Sequence, residues 1–320
     1  MEYSIGIDLG GTKVLSALIN KETGEVVSSV KKKTKKDKGP NKILEKIIES
    51  IQELIDENKI DKSHIESIGI GAAGQVDREN GILLAAPNLD CFNVPLKKII
   101  EENFSIPTFV GNDVEIATLG EIKFGAGKGY KNLVCVFVGT GVGSGIVRNG
   151  ELYQGATGTA GEIGHIVVDY GGRQCGCGAM GCLEAYASRS AIEKRITGAL
   201  KKGRNSVILD YLEDGKPISS GMIKKSLEQQ DELVTQALDE ASEYLSAGLA
   251  SVINFINPEL IILGGGLIDA IDYFYDKTTI KAHVKALPTP ASKIEFKKAQ
   301  LGDFSGVIGA AFLSDKNKRN

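Results

Sequence analysis

Tryptophan is absent and proline is scarce, at 8 of 320 residues, so the 39 glycines are not the filler of a low-complexity or collagen-like segment. No apolar run approaches the roughly 18 residues that a membrane-crossing helix needs. The start, Met1-Glu2-Tyr3, enters a strand pattern with no basic-then-apolar leader, and a soluble, cytoplasmic protein is expected. Positive charge is not in excess either. Lys and Arg number 38 against 41 Asp and Glu, a formal net charge of −3, which argues against bulk nucleic-acid binding. Five cysteines, an odd number without a leader, do not make a disulfide framework. What is present is a globular composition, 42% hydrophobic and 25% charged. The length fits two domains of about 150 residues each. Glycine is the outlier, at about 12% of the 320 residues against a usual ~7%. These glycines are expected at turns where backbone approaches something closely.

Apolar periodicity predicts strands over Tyr3–Leu9, Val14–Ile19 and Glu25–Val30, with a hairpin turn at Lys21-Glu22-Thr23-Gly24. The lysine-rich stretch Lys31–Lys38 reads as a solvated strand end and loop. Ile43, Leu44, Ile47, Ile48, Ile51, Leu54 and Ile55 form one helical stripe within 41–58. A strand over Ile65–Ala72, a polar turn between Gly74 and Gly81, a short helix over Pro95–Glu102, a strand over Thr108–Gly111 and a helix over Val114–Phe124 follow. Cys91 falls in a loop-like stretch. After a Gly-rich joint at Gly125–Gly129 the opening pattern returns. Leu133–Val138, with Cys135 as a small core residue, ends in a glycine loop, and Ile146–Arg148 leads to the turn Asn149-Gly150. Strand, Gly/Thr turn, strand thus occurs twice, about 130 residues apart, which suggests a duplicated domain. Ala187–Lys202, Ser220–Gln229 and Glu232–Ile256 read as helices, the last stopped by Asn257-Pro258. Leu260–Leu263 reads as a buried strand and Ser305–Ser314 as a helix. The alternation argues for an α/β architecture.

Two glycine loops invite a nucleotide reading: Asp8-Leu9-Gly10-Gly11-Thr12-Lys13 and Gly139-Thr140-Gly141-Val142-Gly143-Ser144-Gly145. The Gly125–Gly129 joint fails as a Walker loop, since Gly129 follows Lys128, and neither glycine loop is a dinucleotide fingerprint, because each is followed by a strand rather than a helix. Both are hairpin tips. A lone Gly-rich hairpin needs no ligand. Two of them, with Asp8 before the first, are better read as phosphate cradles, in which backbone N–H groups converge on an anion and Thr12 and Thr140 add hydroxyls. Asp8 beside phosphates implies an intervening Mg²⁺, held through water.

The third signal is a metal set. Cys175, Cys177 and Cys182 fall within eight residues, after Glu162-Ile163-Gly164-His165 and before Glu184. Three thiolates and an imidazole complete a tetrahedral Zn²⁺ shell with no open position, so the zinc is structural. This stretch resembles the signature of the ROK family (repressors, open reading frames and sugar kinases). The resemblance extends to Asp8–Lys13, Asn112-Asp113, Gly139–Gly145 and Gly264-Gly265-Gly266, and so spans nearly the whole chain. It implies a two-domain actin-like ATPase (ribonuclease H-like) fold with a cleft between the domains. The smaller α/β domain takes 1–119 plus 303–320, because the last helix returns to it, and the larger takes 120–302 with the zinc loop.

The resemblance further implies an ATP-dependent hexose kinase, most simply a glucokinase making glucose 6-phosphate, as a homodimer or homotetramer. Asp113 becomes the general base, although a residue ahead of a helix also suits an N-cap. Asn88, Asn112, Asp113, Glu162, His165 and Glu184 become hexose ligands. Such a site needs carboxylates, amides and imidazole, since every sugar hydroxyl both donates and accepts. Gly10, Gly11, Thr12, Lys13, Gly139, Thr140, Gly141, Gly143 and Gly264–Gly266 surround the nucleotide with Asp8. His165 serves both zinc and sugar, one ring nitrogen each. The sequence departs from family glucokinases at Phe92, where a tryptophan is common. N-acetylmannosamine, N-acetylglucosamine, fructose and allose are alternative substrates. A sugar-binding regulator without kinase activity is an alternative of another class. Regulators carry a winged helix-turn-helix ahead of the first hairpin, and only seven residues precede Asp8 here.

Overall fold

The computed structural model describes residues 2–34, 39–212 and 216–317. The chain forms two compact units, residues 1–129 with 303–320, and residues 130–302. Lys35, Lys36 and Lys38 of the lysine-rich stretch lie outside the described residues.

Unit 1 is built on β1 (Tyr3–Leu9), β2 (Lys13–Asn20), β3 (Val26–Lys33), β4 (Ile65–Ala72) and, after a small sheet, β8 (Thr108–Asn112). The strand order is β3-β2-β1-β4-β8. The first three strands pair antiparallel, and β1, β4 and β8 run parallel. Strand β3 runs three residues beyond the expected Val30, because Lys31, Lys32 and Lys33 still pair with β2. Ile5, Ile7 and Leu9 point to one face and pack with Ile43, Ile47, Ile51 and Leu54 of α1 (Pro40–Asn58), all of them fully buried. This is the stripe that the periodicity demands.

The other face of β1 and β4 is covered by the helix Ser305–Ala311, which also packs on the helix Asp113–Phe124. Glycines make that approach possible. A Cβ on Gly6 would lie 1.8 Å from Val307 O, one on Gly69 1.8 Å from Ala310 O, and one on Gly309 1.6 Å from Ile116 O. These glycines therefore sit inside strands and a helix, where backbone meets backbone, and not only at the turns that composition pointed to. The buried Glu121 accepts from Ser305 Oγ at 3.0 Å and from the Ala126 N–H at 2.9 Å, tying the returning helix to the Gly-rich joint. The expected helix Ser305–Ser314 breaks after Ala311 and resumes at Ser314.

The polar turn between Gly74 and Gly81 proves to be part of a three-stranded sheet, β5 (Gln75–Asp77), β6 (Ile82–Ala86) and β7 (Cys91–Val94). Cys91 is in a strand, not a loop, and its side chain joins the core at 1% exposure. Helix α2 (Leu96–Phe104) leads to β8, and α3 (Asp113–Phe124) follows it directly.

Unit 2 repeats the sheet. Strands β9 (Leu133–Val138), β10 (Val142–Arg148), β11 (Glu151–Tyr153), β12 (Leu260–Gly264) and β13 (Glu295–Lys298) take the order β11-β10-β9-β12-β13. Again the first three pair antiparallel, and β9, β12 and β13 are parallel. Asn149 and Gly150 both have positive φ, 54° and 80°, as a two-residue hairpin turn requires. Each unit therefore carries the ribonuclease H-like sheet of an actin-like ATPase.

The expected helix Ala187–Lys202 is two, α4 (Glu184–Ala187) and α5 (Arg189–Lys201), because extended Ser188 caps α5 by accepting from the Ala191 N–H. Helices α6 (Ser220–Glu228), α7 (Glu232–Ile256), α8 (Gly266–Ala270) and α9 (Asp272–Lys285) complete the cover; α9 is absent from the sequence reading. Among the described residues, no helix is long and apolar enough to cross a membrane.

Candidate active site

In unit 1 the parallel strands end together. The pairing rows are Asp8–Gly71–Gly111 and Leu9–Ala72–Asn112, so Asp8, Asn112 and Asp113 gather at the carboxyl edge of the sheet. In open α/β sheets this edge is where ligands bind. Asn112, not Asp113, caps α3: its Oδ1 accepts from the Val114 N–H at 2.9 Å, and its Nδ2 donates to Gly74 O at 3.1 Å. Asp113 is the first helical residue, half-buried, and accepts from the same Val114 N–H at 3.0 Å. Burial and then the negative charge of Asp8 push the Asp113 carboxyl up to about 6, against the pull of the Val114 N–H. Asp8 is raised as well, by burial first, with Lys13 drawing it back down. Asp8 thus helps to raise Asp113, while Asp8 itself is raised by burial and, against the pull of Lys13, by Asp303.

The Gly10–Lys13 tip is closed by the Gly10 N–H donating to Lys13 O at 3.0 Å. Lys13 Nζ reaches Asp303 at 3.1 Å, a partner contributed by the returning segment and not foreseen from the sequence. A Cβ on Gly11 would lie 3.6 Å from the Cβ of Asn88, so the exposed Asn88 stands beside this tip. Phe92 is 55% exposed on β7.

In unit 2, His165, Cys175, Cys177 and Cys182 converge, their four ligand atoms all within 4.8 Å of one another. Cys177 Sγ and Cys182 Sγ are 3.8 Å apart, as are Cys175 Sγ and His165 Nδ1. Those separations match the edge, about 3.8 Å, of a tetrahedron with metal–sulfur bonds of about 2.3 Å. Gly181, at φ 78°, makes the crossing that closes the loop; a Cβ there would meet Asp169 O at 1.8 Å.

Packing three thiols together has an electrostatic signature. Burial and the neighbouring thiols push Cys182 up to about 12, burial raises Cys175, and the Ala179 N–H lowers Cys177. Three thiolates become compatible here once a cation lies among them, so the donor set could hold a metal ion. His165 turns Nδ1 toward Cys175, while its Nε2 is 3.9 Å from Glu162 Oε2.

Glu184 stands between this cluster and the second glycine loop. Its Oε1 is 3.9 Å from Cys175 Sγ, and its Oε2 accepts from the Val142 N–H at 2.9 Å. A Cβ on Gly141 would lie 2.3 Å from Glu184 Oε2, so any side chain there would displace the carboxylate. Gly139 and Gly266 differ, since a Cβ on either meets nothing within 4 Å. Neither glycine is forced by packing, and both leave open space where a Cβ would stand. Gly264 and Gly265 are accounted for by close packing on Phe137 and Val138, and Gly143 pairs with Phe137 inside β10. Arg189, on which the sequence carried no local signal, binds the Gly139–Thr140 tip through backbone and side chain.

The ROK family model matches residues 4–317. A glucokinase of Halalkalibacterium halodurans is 36% identical over 315 residues, covering 97% of this chain and 94% of the relative. The crystal structure of a ROK family glucokinase from Streptomyces griseus in complex with glucose and AMPPNP matches with a TM-score of 0.84 at 33% identity, covering 98% of this chain and 99% of that one. A ROK family transcriptional regulator, a homologue of the E. coli MLC protein, matches with a TM-score of 0.85 at 30% identity, over 98% of this chain and 78% of that one. The chain belongs to the ROK family.

Proposed function

We propose that this sugar kinase transfers the γ-phosphoryl group of ATP to glucose, giving glucose 6-phosphate, with Asp113 as the general base. The observation that carries the reading is the half-buried Asp113, raised to about 6 beside Asp8 at the carboxyl edge of β1, β4 and β8. A base with an affinity for protons near the working pH takes a hydroxyl proton and releases it afterwards. The sugar oxygen forms a bond to the γ-phosphorus, the bond from that phosphorus to the bridging oxygen breaks, and ADP leaves with the electron pair. Asp113 holds the hydroxyl proton.

Asn88 and Asn112 with Asp113 in unit 1, and Glu162, His165 and Glu184 in unit 2, are assigned as hexose ligands. Asp8 is assigned to a water-mediated Mg²⁺, which neutralises phosphate charge when bound. The two hairpin tips and Gly266 are assigned to the nucleotide. Zinc is assigned to His165 Nδ1 and the three thiolates, which leaves Nε2 toward the sugar. A cytoplasmic location and, on family resemblance, a homodimer or homotetramer complete the proposal.

The test is a panel of glucose, N-acetylmannosamine, N-acetylglucosamine, fructose and allose with MgATP. Glucose is expected to give the highest kcat/KM. A higher value for another member reassigns the substrate. The regulator at 30% identity keeps a second reading in view. Saturable sugar binding without turnover of any hexose would favour it.

The pH dependence follows from the same carboxyl. Because Asp113 is raised to about 6, kcat/KM is expected to rise through one ionisation near that pH and to fall about tenfold per unit below it. Asp8→Asn removes the charge that raises Asp113, so the acidic limb should move to lower pH even as the rate drops. A limb that stays in place in Asp8→Asn would separate the two carboxyls.

A further inference from the structure

The tip Gly139-Thr140-Gly141 contains no charged residue, yet a guanidinium is fixed against it. Arg189 Nη2 donates to Thr140 Oγ1 at 3.1 Å, and Nη1 donates to Ile218 O at 2.8 Å. The Arg189 backbone N–H donates to Gly139 O at 2.9 Å. Glu193 lies 3.6 Å from the guanidinium and itself accepts from the Ile218 N–H at 3.0 Å. The side chain of Arg189 is 19% exposed, so its geometry is set by these partners rather than by solvent.

A threonine hydroxyl has one hydrogen to donate and two lone pairs to accept with. Arg189 can only donate, so it occupies a lone pair of Thr140. The hydroxyl hydrogen is then turned away from the guanidinium and left for another acceptor. The adjacent positive charge also polarises the O–H bond, making it a stronger donor. Beside it, Gly139 leaves free space where a Cβ would stand, so a phosphate oxygen can approach the hydroxyl.

We infer that Arg189 is a positioning residue for the phosphoryl donor: it orients the Thr140 hydroxyl as a donor to a phosphate oxygen and sets a positive charge against a tip whose far side faces the Glu184 carboxylate. This rests on the reading of the β9–β10 hairpin as a phosphate loop. It implies that the arginine acts through Thr140 and that its effect scales with the phosphates of the nucleotide, not with the nucleoside.

The test is titration calorimetry of the whole protein with MgATP and with AMP, using Arg189→Met, Arg189→Lys, Thr140→Val, Gly139→Val and the double variant Thr140→Val/Arg189→Met. Loss of one charge-assisted hydrogen bond corresponds to about a tenfold or greater loss of affinity. Arg189→Met is expected to weaken MgATP by about that factor and to leave AMP unchanged. Arg189→Lys, which keeps charge and a donor, is expected to recover part of the loss. The double variant is expected to be no weaker than the weaker single, because the two residues form one unit. If Arg189→Met unfolds, Arg189→Lys and Thr140→Val carry the comparison. If Thr140→Val weakens MgATP while neither Arg189 variant does, the inference on Arg189 is overturned and the phosphate-loop reading stands. Equal weakening of MgATP and AMP would reduce Arg189 to a structural tie. If Thr140→Val and Gly139→Val both bind MgATP normally, the phosphate-loop reading itself fails.

Discussion

Asp113→Asn is expected to lower kcat by about 10²–10⁴-fold, the usual contribution of a general base, while hexose affinity survives. The substitution is nearly isosteric, and its local bonds are spared. Asn112 still caps α3, because its Oδ1 accepts from the Val114 N–H at 2.9 Å, and an asparagine Oδ1 at 113 accepts from the same group as Asp113 does at 3.0 Å. Removing the charge also relieves the burial and the Asp8 repulsion that raise Asp113, so the variant should melt no lower than the parent. A fold defect is thereby separated from a chemical one. Steady-state rates with MgATP, hexose binding by calorimetry and a thermal melt decide it together. Near-normal kcat in a folded variant would remove Asp113 from the base role.

The second large effect concerns the metal. Purified protein is expected to carry about one zinc per chain, as a single closed site of this donor set requires. Cys182→Ser should bring the stoichiometry close to zero. Cys182 is 1% exposed, lies 3.8 Å from Cys177 Sγ and is two residues before Glu184. Without a cation nothing draws the remaining sulfurs and His165 together, and the loop loses its clamp. Glu184 then drifts from the Val142 N–H, so KM should rise for MgATP as well as for hexose, by about 10–100-fold, a range typical when support around a metal is lost. Elemental analysis and two-substrate kinetics read both effects. Fully active, metal-free parent enzyme would contradict the assignment.

Local spacing made much of this site legible. Asp8, the two Gly/Thr tips, His165 and the three cysteines each belong to a short pattern whose geometry is nearly fixed by its residues. Long apolar elements were equally plain: β4 and α7 have the boundaries that periodicity predicts. The small sheet β5-β6-β7 was hidden because its strands have three to five residues and register shifts break their alternation. Helix α9 buries Phe274, Thr278 and Ala282 while exposing Ile280 and Val284, so its apolar residues do not mark its inner face. Arg189 and Asp303 escaped for another reason. Their partners, Thr140 and Lys13, are 49 and 290 residues away, and no local pattern encodes such a meeting.

The glycine-lined bed for Ser305–Ala311 has a consequence for how the protein is made. Translation delivers β1, β4 and α3 early, but the helix that covers them comes last, after the whole of unit 2. Gly6, Gly69 and Gly120 have no side chains with which to fill that gap in the meantime. Unit 1 therefore closes after unit 2 has been made, and until residues 305–311 arrive its second sheet face is covered only in part, by α3. Unit 2, contiguous over 130–302, suffers no such delay. What that interval exposes on β1 and β4 is backbone beside Ser4, Gly6, Ser67 and Gly69, and the speed of translation through unit 2 sets its length.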